Sequence, residues 1–139
     1  MKPLVFLISL VISASAFAQA HRKVGESDPL PSVGFKSFAE LNSWATSSSF
    51  GGGGSYELTL SGKKVFYSVR SVTSGVPTSE LILYSQNAKD EIHPFIIVPV
   101  QGVDFSVKVE EGEIVVRKYD RMKEKWQIAA RITPLMLPN

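Results

Sequence analysis

Two histidines, His21 and His93, and no cysteine are the strongest transition-metal ligands in this sequence. His21 directly follows the stretch Ala16-Phe17-Ala18-Gln19-Ala20. Cleavage after Ala20 would make it an amino-terminal histidine, which can chelate copper through its amine and ring, with His93 as a further ligand. Rigid ligands with an ordered surround are needed for such a site. His21 sits on a polar lead-in, and cleavage after Ala18 would remove the arrangement. The expectation is therefore no cofactor, with copper on His21 and His93 as the alternative. A closed zinc site lacks thiolates. Glu110, Glu111 and Glu113 around Gly112 imitate a calcium loop, but a tight turn has no room to wrap the ion.

Covalent catalysis lacks parts. No G-x-S-x-G elbow is present, and a serine triad would have to recruit His93. The acids cluster in turns at Asp90-Glu91 and Glu110–Glu113 instead of facing each other across a groove. Gly51–Gly54 lacks the Lys and Ser/Thr of a phosphate-binding loop and precedes a strand pattern, so it reads as a connector. The reading is that the protein is not an enzyme. One constellation could bind. Arg117, Lys118, Arg121, Lys123 and Lys125 crowd one hairpin with Tyr119, against Asp120 and Glu124. Such a tip could meet an acidic protein, anionic headgroups or a polyanion. By simple alternation Trp126 falls on the core face beside it.

These residues need elements to hold them. Residues 1–20 read as a signal peptide: Lys2, an apolar run Leu4–Ile12, then small residues before two overlapping cleavage motifs. The run is too short to span a bilayer, so the mature chain is expected to carry no transmembrane segment. Export to a periplasm or cell exterior follows, and without cysteine the fold must be held by packing. The full chain has 139 residues, with 15 Lys and Arg against 13 Asp and Glu. That balance points away from nonspecific nucleic-acid binding.

Residues 21–36, broken by Pro29, Pro31 and Gly34, form an extended lead-in. A single domain spans 37–139. Ser37-Phe38-Ala39-Glu40 is a capping box, with Glu40 expected to reach the amide of Ser37. Phe38, Leu41, Trp44 and Ala45 form one helical stripe, with Phe38 and Trp44 as core anchors. From Tyr56 the period becomes two. Tyr56–Leu60 and Val65–Arg70 make a hairpin across Ser61-Gly62. Leu81–Tyr84 is a strand without alternation, so both faces should be covered. Phe95–Val100 follows, with Pro99 at an edge or strand end. Phe105–Val109, Ile114–Arg117 and Trp126–Ile132 form a meander with a tight turn at Glu111-Gly112. The only helical pattern precedes every strand, which excludes crossovers, so the sheet is antiparallel. The expected fold is α+β, one helix on an antiparallel sheet of about six strands, with a small barrel or sandwich as the alternative. No motif carries a family resemblance.

The function expected is a small exported binding or inhibitor-type module acting through its loops and basic hairpin, on another protein or an acidic envelope component. The alternatives are the copper protein above and a structural envelope subunit that adds a strand at Phe95–Val100.

Overall fold

The computed structural model describes residues 22–24, 34–47, 54–72, 78–101 and 104–138. The leader 1–20, His21 and Gly51–Gly53 lie outside them.

Helix α1, Phe38–Ala45, starts where Ser37 Oγ accepts the Glu40 amide at 3.1 Å. Glu40 does reach back, but its carboxylate accepts the Lys36 amide at 3.4 Å, one residue earlier than a capping box requires. The helix ends with the Thr46 amide donating to the Asn42 carbonyl. Eight residues are too few to persist alone, so burial of Leu41 and Ala45 must hold the helix in place. Phe38 is not a core anchor. It is 40% exposed and stacks on Phe66 at the rim, with ring centroids 5.6 Å apart. Leu41 and Ala45, one turn apart, occupy the centre of the contact and push the bulkier rings to its flanks. Trp44 is half-buried against Phe35.

Eight strands are described: β1 (Arg22–Lys23), β2 (Ser55–Leu60), β3 (Lys63–Val72), β4 (Thr78–Gln86), β5 (Ile92–Gln101), β6 (Phe105–Glu110), β7 (Glu113–Asp120) and β8 (Lys125–Ile132). Every pairing is antiparallel. The β2–β3 and β6–β7 turns carry Ser61-Gly62 and Glu111-Gly112, both pairs at positive φ, the twist that tight hairpins demand. Asn87 builds the β4–β5 turn, its Oδ1 accepting the amides of Lys89 and Glu91 at 2.9 and 3.0 Å.

The strands do not form a single sheet. They form a five-stranded sheet, ordered β1-β5-β4-β3-β2, and a three-stranded sheet, ordered β6-β7-β8. The reason lies in β4. Leu81 and Leu83 join a core shared with Ile114, Val116, Ala130 and Ile132 of the smaller sheet. Ile82 and Tyr84 join a second core with Leu41, Ala45, Phe35 and Phe66. A sheet apolar on both faces needs a cover on each. Here α1 covers one face and the three-stranded sheet the other. The fold is α+β, a helix packed on an antiparallel sheet, and it does not close into a barrel.

Candidate functional site

The basic hairpin is β7, the turn Arg121–Glu124 and β8. Its turn is internally braced. Asp120 Oδ1 accepts the amides of Met122 and Lys123 at 3.0 and 3.1 Å, and Glu124 takes φ 51° to bring the chain back. In the strand register Asp120 then stands opposite Lys125, and Tyr119 opposite Trp126.

Trp126 is not on the core face. It is 50% exposed and meets Tyr119 edge-on, with centroids 5.5 Å apart. The cause is a register slip between Val116 and Arg117. Val116 opposes Ala130, but Arg117 opposes Ile128, so Ala129 is an extra residue on β8. One extra residue reverses the phase of alternation. Ala130 and Ile132 stay inside, while Ile128 and Trp126 turn outward.

The six hairpin residues singled out in the sequence therefore do not form one cluster. Strand alternation puts Arg117 and Tyr119 on the outer face with Trp126 and Ile128, and Lys118 on the opposite face. Arg121, Lys123 and Lys125 are exposed at the turn end. Arg117 is ion-paired with Glu110, and Arg121 lies 3.4 Å from Asp104 in an exposed pair. No carboxylate pairs with Lys118, Lys123 or Lys125 among the described residues. The acids of the β6–β7 turn point apart, Glu110 to Arg117 and Glu113 to Arg131, the latter at 3.2 Å. They leave no cage for a cation.

His93 packs against the backbone of Gly34, where an added Cβ would sit 2.4 Å from Nε2. Glu91 Oε1 lies 3.9 Å away. Arg22 pairs with Ile97 and Lys23 with Ile96. From Lys23 to Arg22 the strand thus steps away from His93, and Arg22 stands about 13 Å along β5 from that histidine. Among the described residues no group of three His, Asp or Glu side chains is placed to hold a metal.

The strand Phe95–Val100 lies within β5, flanked by β4 and, at Ile96 and Ile97, by β1. Over Val98–Gln101 only β4 is described beside it, and Pro99 falls in that stretch. A cleft of about 510 Å³ opens between β1, β5 and the C-terminal 3-10 turn Pro134–Met136. It is lined by apolar residues including Val24, Phe95, Leu135 and Met136, with Lys23 on its wall.

Sequence reasoning missed a polar line under α1. The Ser68 and Tyr84 hydroxyls hydrogen-bond at 2.7 Å inside the core. Burial pushes the Tyr84 hydroxyl up to about 12, with the Ser68 hydrogen bond and the nearby Arg70 opposing. Arg70 and Glu80, opposite each other on β3 and β4, form a mostly buried ion pair. Asn42 was also missed, because it lies off the apolar stripe. Its Oδ1 accepts the backbone amide and hydroxyl of Ser55 at 2.9 and 3.0 Å, tying α1 to the start of β2. Strand position alone carries no signal for these contacts, since each needs a partner from another element.

No helix among the described residues is long and apolar enough to cross a membrane. No family model, curated protein or solved structure matches the chain.

Proposed function

We propose that this protein is an exported, non-catalytic binding module that offers the β7–β8 hairpin to an acidic component of the cell envelope. The observation that carries this reading is the hairpin end. Arg121, Lys123 and Lys125 are exposed on a braced turn, beside the half-exposed Trp126 and its partner Tyr119. Aromatic rings next to cations on a rigid support are a common composition for recognition surfaces. Export is supported by the leader pattern of residues 1–20. The two-sheet core supplies rigidity, so little ordering entropy is lost on contact.

Immobilised protein should capture an envelope component at low salt and release it as ionic strength rises. The variant carrying Arg121→Ser, Lys123→Ser and Lys125→Ser, three exposed turn-end positions, should lose that capture while unfolding at an unchanged temperature. Capture that is identical with the variant removes the hairpin from the function.

A further inference from the structure

The geometry points to an anionic lipid surface as the hairpin's partner, an inference that rests on the binding role proposed above and narrows it to one class. The decisive residue is Met122. It is 96% exposed at the apex of the turn, and the two hydrogen bonds to Asp120 Oδ1 hold the turn backbone in shape. An apolar side chain held out in this way has nothing to gain from a soluble polyanion, whose surface is charged and hydrated. It gains when it enters an acyl boundary.

The rest of the hairpin is ordered by depth. Immediately behind Met122 come the exposed cations Arg121, Lys123 and Lys125, at the level of lipid phosphates. Behind the Asp120–Lys125 rung lies the Tyr119–Trp126 rung. The two rungs span roughly 7 Å including the turn, which matches the depth of interfacial insertion, and Trp and Tyr favour that layer. From Lys118 to Lys125 there are four cations against two carboxylates, and one of the two, Asp120, is tied to turn amides. The sign complements anionic headgroups, and its modest size predicts weak, salt-sensitive, reversible attachment.

The test is flotation of the mature protein with vesicles of phosphatidylcholine alone or with about one-third phosphatidylglycerol, together with tryptophan emission. The protein should float with the anionic vesicles only. Its emission should shift to the blue and be quenched by bromine-labelled acyl chains. Both effects should vanish in Trp126→Phe, which leaves Trp44. Lys123→Ser with Lys125→Ser should weaken binding about twenty-five-fold, at about fivefold per cation. Met122→Ser should weaken it about tenfold, each variant keeping its unfolding temperature. Equal binding to neutral vesicles overturns the inference, as does anionic binding that ignores Met122→Ser and leaves Trp126 unquenched. If vesicles fail while hairpin-dependent capture of an envelope protein or of heparin persists, the lipid assignment is wrong and the broader binding role stands. If capture also ignores the hairpin, both are wrong.

Discussion

Ser68 and Tyr84 show how much a single buried hydroxyl can control. Their hydrogen bond is enclosed by the core beneath α1. Tyr84→Phe strands the Ser68 hydroxyl without its partner and should cost about 1–2 kcal/mol in urea unfolding, whereas Tyr84→Phe with Ser68→Ala should recover most of that loss. The pH dependence has a definite sign. The folded-state pKa of Tyr84, about 12, lies above its ordinary value of 10.0. The stability this contributes is therefore fully present below pH 10 and lost as pH rises through 12. Wild-type protein should lose stability steeply over that window, and Tyr84→Phe should lose less; equal slopes would exclude Tyr84 as the cause. The sequence showed Tyr84 as a residue on a doubly covered strand, which it is. It could not show the hydroxyl pairing, because Ser68 becomes a neighbour only through the β3–β4 register.

At the level of elements, the turns were the most legible features. Ser61-Gly62 and Glu111-Gly112 stand where the sequence put them, because a two-residue hairpin turn has few solutions. Gly112 sits at φ 76°, and an added Cβ there would meet no atom within 4 Å. Gly112→Ala should therefore cost only the left-handed backbone term, about 1 kcal/mol, and Gly112→Asn less. Thermal unfolding of the pair checks this, and an equal cost for both would point to a contact instead of conformation. The bulge in β8 was not legible. Nothing in KWQIAARI marks Ala129 as the extra residue, and two-residue periodicity carried through it assigns Trp126 to the wrong face. The same limit applies at β5, where Leu83 opposes Ile96 but Tyr84 opposes Pro94, leaving Phe95 out of step. A bulge is a property of a pair of strands, and a strand read alone does not reveal it.

For the whole molecule, the order of one helical pattern before every strand pattern established antiparallel strands and a helix-backed layer but not the number of sheets. The information was partly present. Leu81–Tyr84 lacks alternation, and a strand apolar on both faces implies a second cover. The three carboxy-terminal strands supply it, each with one apolar face. Their removal should thus be catastrophic. A chain ending at Gln101 would expose Leu81, Leu83, Ile96, Val98 and Val100 together. It should bind a hydrophobic dye and lose cooperative unfolding, while the full chain shows one transition. A cooperative transition in the truncated chain would mean that the five-stranded sheet and α1 fold as an independent unit.

The pairing of Arg22 with Ile97 also sets an order of events. The first described strand to leave the ribosome has its docking edge in a strand synthesised some seventy residues later. It must wait in the nascent chain until β5 has been made and laid against β4. A fold written this way cannot be completed from its beginning; its opening segment is the latch that closes after the door is hung.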